Sequence, residues 1–573
     1  MRGNSMRRMW LLAVLGTIVA MVVAACGGGD ATATPVPTVA PTATQAIAPT
    51  ATAGPTPASA VTATPAPPEP KYGGIIQARF FPFPSWDTYN VRGGYSFTFT
   101  SGMMNNLFHL SLEDASVIVP DLATSWDVSD DGTVVTIRLV QGARWHDGML
   151  FTSADALYNL DAAWKPSSPL RSWNAQFMKR VIDLQAPDDS TVQITLDRPS
   201  ASFLPGLATP HVLMYPAHMT DLEAWQKAPI GTGPFRFDSF SADKSLEYVR
   251  NDNYFKKDEA GRRLPFLDGV VYHVITDAAA AYAAFRTGRT DCGCTFDTDF
   301  MTPNRVQLLK DFPDMIFFEF WSPGFLYFNS RPPFDQQKLR QAISIGIDRR
   351  IFAEALQDGF TWFPGSFFYP PEVGGQFGLT TEEMLQIPGW REDHAADVAL
   401  AKQLLAEIDL DPADLKLELL ASTHHEDPFL LIDAVLRELG ITPTLKLLPR
   451  GADRVDRNQG LFDISYETPG PAFDDPSNLG ANWVLEGLSS NFGKWSNPVI
   501  ERLFADVDLE LDPVKRVVIA KELQRELLDW AVMVPMPYVG RFHGVREYVK
   551  GWTHITPLTI DVSGRLEAVW LDR

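Results

Sequence analysis

Cysteine is nearly missing: three in 573 residues, far too few for a disulfide-built scaffold. Two of them flank a single glycine, as Asp291-Cys292-Gly293-Cys294. Bridged Cα atoms prefer a separation of about 5.5–6 Å, so two buried or reducible thiols are the first expectation and a strained bridge the second. No nearby histidine completes a metal-ligand set. Basic residues are also short, 49 Lys and Arg against 70 Asp and Glu for a net charge of −21. No basic stripe offsets that sum, so nucleic acid is not expected as a partner. The acidity reads first as a device for solubility and second as an attraction for cationic solutes. Beyond residue 25 no apolar run is long enough to cross a bilayer. There is no Gly-x-Ser-x-Gly elbow, no His-Glu-x-x-His and no ATP-binding motif. Gly231-Thr232-Gly233-Pro234-Phe235-Arg236-Phe237 resembles a dinucleotide loop only at first glance. Its third glycine is Arg236, Pro234 interrupts it, and the sequel alternates as a strand does. His424 and His425 are adjacent and along a strand would point to opposite faces, and no other histidine pair has ligand spacing. No cofactor is expected.

What is present begins with Arg2, Arg7 and Arg8, followed by an apolar run from Met9 to Ala25 and then Cys26. This is the pattern of an export signal. The small residues before the cysteine, Val23-Ala24-Ala25-Cys26, resemble a bacterial lipobox, which implies lipidation at Cys26 and removal of residues 1–25. The competing expectation is a short amino-terminal membrane anchor, since about 17 apolar residues lie at the lower limit for a span. Residues 26–70 are then glycine followed by a Thr/Ala/Pro tract, which cannot bury enough apolar surface to offset the entropy of ordering. It is expected to act as a disordered tether, reaching on the order of 100 Å if stretched at about 3.1 Å per residue. Its threonines also suit O-glycosylation.

From Lys71 on, about 500 residues exceed what one core supports, and 36 Phe and 15 Trp give ample apolar material. Val135, Ile137 and Leu139 alternate with polar residues after Asp131-Gly132, and Val192, Ile194 and Leu196 repeat the pattern after Asp188-Asp189. Both predict hairpins. A mostly β region with one helix near Ser153 to Trp164, N-capped by Ser153, is therefore expected between Ser111 and Pro229. After Phe325 the pattern changes to α/β. Asp335 and Asp348 stand as helix N-caps, helices are predicted at Ala396–Ile408 and Phe429–Leu439, and strands at Leu415–Leu420 and Leu445–Leu448. Strand, helix, strand with short links implies parallel pairing. Strand-like alternation returns at Thr559–Leu571.

Several runs occur together in order: Tyr72-Gly73-Gly74, Pro120 to Gly132, Trp145-His146-Asp147-Gly148, Gly231 to Phe235 and Arg250 to Tyr254. Phe328-Asn329, Leu339 to Ile343 with Ile347-Asp348-Arg349, and Asp474-Asp475-Pro476 complete the set. With these the chain resembles the family 5 extracytoplasmic solute-binding proteins, the dipeptide, oligopeptide and nickel receptors of ABC importers. The resemblance implies an α/β, periplasmic-binding-protein-like clamshell (type II, cluster C) of two hinge-linked lobes with an extra, mostly β inserted domain. The implied division is domain I at 71–110, 230–324 and 535–573, domain II at 111–229 and domain III at 325–534. It also implies that the lobes close over a solute and dock on permease subunits with their ATPases, that the chain is a monomer held outside the cytoplasm by lipid, and that Trp145 to Gly148 is a structural turn.

In peptide-binding members of that family an aspartate four residues before a proline pairs with the ligand α-amine. Counting back from Pro476 puts Ala472 there, with Asp474 and Asp475 near enough to substitute or, equally, to form a simple turn. Peptide is therefore expected alongside other extended polar solutes, such as an oligosaccharide or a chelated metal. Aromatic faces suit a cleft that grips varied groups. Trp86, Trp321, Asn329, Trp362, Phe473, Asp474, Asp475 and Trp483 are the expected ligand-side residues. A secreted hydrolase on a stalk is the alternative from a different class.

Overall fold

Alternation around Asp-Gly and Asp-Asp turns builds the first half of the molecule. Strands β4 (Ala123–Val128) and β5 (Val134–Leu139) form a hairpin, and β6 (Val181–Asp188) with β7 (Thr191–Leu196) forms a second. They join in an antiparallel sheet of order β4-β5-β7-β6, with Val135, Ile137, Val192 and Ile194 turned into the core. The helix Ser153–Trp164 packs on β6 and β7. Its Ser153 hydroxyl donates to the Asp188 carbonyl, while the Asp155 carboxylate takes the Thr152 N–H. A second four-stranded sheet runs β1 (Ile75–Phe80), β10 (Gly269–Val274), β9 (Ser245–Arg250) and β8 (Phe235–Ser241), with β1 parallel to β10. Strands β2 (Phe108–Leu110) and β3 (Ile118–Pro120) form a separate antiparallel pair, with β3 against β4. One hydrophobic cluster, including Ile76, Ile137, Trp225 and Leu246, serves both sheets.

The glycines of the Gly231-Thr232-Gly233 run have a packing role. A Cβ at either would lie within 2.1–2.5 Å of the Met103 carbonyl oxygen, which only glycine avoids. His146 stitches to the same run: its Nδ1 accepts the Gly231 N–H at 3.1 Å and its Nε2 lies 3.1 Å from the Gly233 carbonyl. Burial pushes this imidazole down to about 4, so it stays neutral.

The second half is organised on two 13-residue strands, β12 (Ile316–Phe328) and β17 (Met533–Val545), paired antiparallel. Their sheet has the order β11 (Cys292–Gly293), β17, β12, β16 (Ile464–Glu467), β14 (Glu418–Ser422) and β15 (Thr444–Leu448), with β13 (Thr361–Trp362) also on β17. Strand β14 is parallel to both β15 and β16, through crossover helices Glu426–Glu438 and Ala452–Asn458. One face carries a core with Leu326, Leu419 and helix Gln337–Gly346. The other carries Phe325, Tyr327 and helices Pro498–Leu509 and Pro513–Trp530. A short pair, β18 (Val549–Lys550) with β19 (Trp570–Leu571), ends the chain.

The computed structural model describes residues 68–80, 86, 99–111, 114, 116–164, 176–293, 298–408, 410–423, 425–449, 452–468, 473–479, 484–488, 491–552 and 565–573. The export signal, Cys26, nearly all of the tether, His424, Ala472 and Trp483 lie outside that set. Residues from Pro70 on form one compact unit. Among the described residues no helix is long and apolar enough to cross a membrane. Two expectations are corrected. Cys292 is buried and disulfide-bonded, not a free thiol, and both other cysteines lie outside the described residues. Asp335 does not cap a helix, because the helix starts at Gln337 behind Gln336, which makes no side-chain cap bond. Asp348 does cap, accepting the N–H groups of Arg350 and Ile351. Most of the strand expected at Thr559–Leu571 also falls outside the described residues.

Candidate functional site

Open α/β sheets bind ligands beyond the carboxyl ends of their parallel strands. Here β14 and β16 end together, and from those ends issue His425, Thr468 and the turn Phe473–Asp475. The His425 ring meets the Tyr466 ring edge-on at 5.3 Å, and Thr468 Oγ1 lies 3.4 Å from His425 Nε2. Behind them the buried Arg457 guanidinium bridges Asp453 and Glu467. Burial opposes ionisation of Glu467, but Arg457 and His425 outweigh it and hold the carboxyl below its usual range.

Strand β12 leads away from this end, and alternation divides its residues between two faces. The even-numbered residues run from Leu326, in the core around β14 and β16, through Gly324, Ser322 and Phe320 to Ile316 against the first-half core. Opposite Phe320 and Phe318 on β17 stand Arg541 and His543. This face therefore runs from one hydrophobic core to the other. The Tyr466 hydroxyl leans over Gly324, where a Cβ would approach it to 2.4 Å. Arg541 Nε donates to Ser322 Oγ at 3.3 Å. His543 is 5% exposed, meets the Phe320 ring edge-on at 5.1 Å, and has no hydrogen-bond partner on either ring nitrogen among the described residues. Burial, helped by Arg541, lowers its pKa to about 3, so it is neutral.

The residues expected on the ligand side are distributed unevenly over this frame. Trp321 and Trp362 sit on the opposite face of the ribbon, ring against ring at 5.7 Å, with Trp321 also against Phe360. Trp86 is buried in the first half, edge-on to Phe237 and Phe240, with its N–H on Gln226 Oε1. Asn329 is buried and bonds Gly460 O and the Arg331 N–H. Phe473, at the β16 end, is buried within the cluster that serves the two first-half sheets. Asp475 is ion-paired to Arg516 at 2.7 Å and accepts the Ser477 N–H. Asp474 accepts the Gln376 N–H on one oxygen, while its other oxygen is buried without a partner among the described residues. Burial, abetted by Asp475, pushes its carboxyl up to about 7 against that one hydrogen bond. Arg541, His543, Ser322 and Tyr466 were not among the expected residues. The signal for the first two was the alternation in Val539 to Val545, which Pro535 and Pro537 interrupt just upstream.

A second contact joins the halves. Asp508, at the end of helix Pro498–Leu509, accepts from the Ser202 hydroxyl at 2.6 Å, the Ser200 hydroxyl at 3.0 Å and the Ser202 N–H at 3.2 Å. A cavity of about 280 Å³ opens beside it, lined by Val128, Leu196, Phe377, Leu511 and Arg516 among others. Among the described residues no cluster of three His, Cys, Asp or Glu could hold a metal ion.

The family model for bacterial extracellular solute-binding proteins, family 5, middle region, matches residues 117–491. A probable di/tripeptide-binding protein 5 of Pseudomonas aeruginosa is 25% identical over 484 residues, covering 78% of this chain and 87% of its own. Among solved structures, the periplasmic binding protein DppA of Helicobacter pylori in complex with the peptide STSA aligns with a TM-score of 0.73 at 22% identity. It covers 88% of this chain and 99% of its own. The binding protein AgaA of A. tumefaciens R10, in complex with agropinic acid, also gives 0.73 at 22%, covering 87% and 99%.

Proposed function

Because this chain belongs to the family 5 bacterial extracellular solute-binding proteins, we propose that it captures a peptide or similarly extended polar solute outside the cytoplasm and hands it to the permease of an ABC importer. It is a solute-binding protein and not an enzyme, with a two-lobe α/β clamshell fold. The observation that carries the reading is the β12–β17 ribbon, whose inner face runs from one lobe's core to the other's. A solute resting on that face and touching both lobes makes its full set of contacts only when they are closed, so binding shifts the equilibrium toward closure.

In this reading Cys26 carries lipid, residues 26–70 are the tether, and the head acts as a monomer whose closed form docks on permease subunits and their ATPases. Domain I comprises 71–110, 230–324 and 535–573, domain II 111–229 and domain III 325–534. The pairing of β1 with β10 and of β11 with β17 supports drawing the first of these from separated segments. Peptide is favoured by the di/tripeptide-binding relative and the neighbour holding STSA. A non-peptide solute is favoured by the neighbour holding agropinic acid, and by Asp475 being already committed to Arg516.

The test is to purify the whole chain, release what it carries under mild denaturation and analyse it by mass spectrometry. Mixed peptides are expected. A single sugar or chelate would move the solute class, and no bound solute under any growth condition would sink the receptor reading. For the anchor, Cys26→Ser is expected to release the protein from the membrane fraction, and retention would refute lipidation there.

A further inference from the structure

The side chain that holds the β16 turn also holds the second contact between the halves. Arg516 is buried and bonds in two directions. Its Nη2 donates to Asp475 at 2.7 Å, and its Nε donates to the Val507 carbonyl at 2.8 Å. Val507 lies in the last turn of helix Pro498–Leu509, where carbonyls have no partner within the helix. Arg516 therefore caps that end and fixes the turn that carries Asp508. Asp508 is bound to the first half through side chain and backbone alike. Besides the three bonds from Ser200 and Ser202, its carbonyl accepts the Ala201 N–H at 2.8 Å.

This contact is separable from the cores. It is polar, it involves few residues, and the cavity of about 280 Å³ beside it keeps the halves from packing solidly there. Arg516 and Gln376 both line that cavity, and they are the residues that hold Asp475 and Asp474. A contact of this kind opens locally at small cost, so its strength depends on how well Asp508 is aimed. One guanidinium aims it and also grips the turn at the end of β16. A lysine does not do both, since a single ammonium replaces a planar fork.

We propose that Arg516 is the positioning residue of a latch between the halves, coupling the β16 turn to the Asp508 contact, so that a solute that steadies the turn tightens the latch. This rests on the reading of the protein as a solute receptor, with that turn on the solute side. The two-state element is the Asp508 contact, made or broken, and the turn biases it through Asp475, Arg516 and Val507. Linkage makes the effect reciprocal: a latch that cannot form weakens solute binding by the factor by which solute tightens the latch.

The experiment is hydrogen exchange read by mass spectrometry on the whole chain, stripped of carried solute. The amides of Ala201 and Ser202 report the latch directly, because both donate to Asp508. Asp508→Ala is expected to speed exchange in the fragment spanning 199–205 about five- to tenfold, the scale of a lost hydrogen bond. Arg516→Met combined with Asp475→Asn removes both members of the buried ion pair together and is expected to fold. It is expected to speed the same fragment by a similar factor and to leave the β14 and β15 fragments at their native rates. Arg516→Lys, which keeps the charge without the fork, is expected to fall between. Trialanine at saturation is expected to slow the 199–205 fragment in the native chain and not in the double variant. Melting curves identify any variant that fails to fold. Native protection of 199–205 in the folded double variant overturns the link. So does bound trialanine, detected by calorimetry, that leaves this fragment unchanged in the native chain. An absence of binding heat with trialanine sinks the peptide reading instead, and the solute-free comparison then decides the Arg516 link by itself.

Discussion

Two buried carboxylates in this protein face the same loss of water and come to opposite ends. Asp121, in the first lobe, is met by Lys256 at 2.7 Å, Arg565 at 2.8 Å, the Asn105 amide at 2.7 Å and the Asn106 N–H at 3.0 Å. Burial alone would raise its pKa, but the two cations outweigh it and hold the carboxyl well below the usual range. Asp474, in the second lobe, has one N–H and a neighbouring like charge, and burial wins. What separates them is the number and sign of partners, not depth. Asp121 ties Lys256, reached from the β9 side, to Arg565 near the carboxyl terminus and so locks distant segments together. Asp474 is left with one oxygen buried and without a partner among the described residues.

The sharpest way to break this contrast is to remove the fully satisfied carboxylate. Asp121→Ala leaves Arg565 and Lys256 to share the single carboxylate of Glu567 in the core and is expected to cost about 3 kcal/mol or more, read from urea unfolding. A loss under about 1 kcal/mol would mean the cluster is wetter than its burial implies. Next in size is Arg516→Met, which leaves Asp475 buried and unpaired. A loss of roughly 3 kcal/mol is expected, with recovery in the double variant that also carries Asp475→Asn.

The pH dependence then tests the sign. The folded-state pKa of Asp474, about 7, lies above its unfolded value, so the native state binds the extra proton between about pH 4 and 7. Its contribution therefore falls as pH rises through that window, and Asp474→Asn is expected to abolish that slope. Asp121 acts in the other direction. Its depressed folded-state pKa gives stability that is present above about pH 4 and lost on acidification. Stability measured from pH 3 to 8 in native protein and Asp474→Asn resolves the two. The smallest effect is expected at the second contact between lobes. Asp508→Ala removes three hydrogen bonds to Ser200 and Ser202, with about 1 kcal/mol of net effect. It is expected to lengthen the lobe-to-lobe distance measured by fluorescence energy transfer in solute-free protein.

How much of this was legible depends on how local its cause is. The hairpins at Val135–Leu139 and Val192–Leu196 and the helix Ser153–Trp164 follow from period and turn residues within a dozen positions, and the structure has them there. The parallel pairing of β14 with β15 followed from short strand-helix-strand links. The hinge ribbon was only partly visible. The change of pattern expected at Phe325 falls on the tail of β12, but the strand's first nine residues are largely apolar on both faces because each face packs on a different core. Alternation is lost under those conditions. Strand β17 was hidden likewise, with two prolines and burial along nearly its whole length. The placement of the aromatic residues was not legible: Trp321 and Trp362 meet at a tilt on the face of the ribbon opposite Arg541 and His543. Whether a tryptophan on a hinge strand faces the gap or the rear depends on a register that alternation in one strand cannot supply.

The ribbon also limits how the receptor can change shape. An extended strand already spans nearly the full contour length of its chain, so β12 and β17, bonded to each other along their length, bend and twist but do not lengthen. The lobes are then coupled as by a strap hinge, free in angle and fixed in separation at the floor. A bulkier solute is met by a wider angle, which moves atoms near Arg541 and His543 little and atoms at the Asp508 contact much more. The floor thus keeps nearly constant geometry, while the outer contact at Asp508 responds to overall bulk.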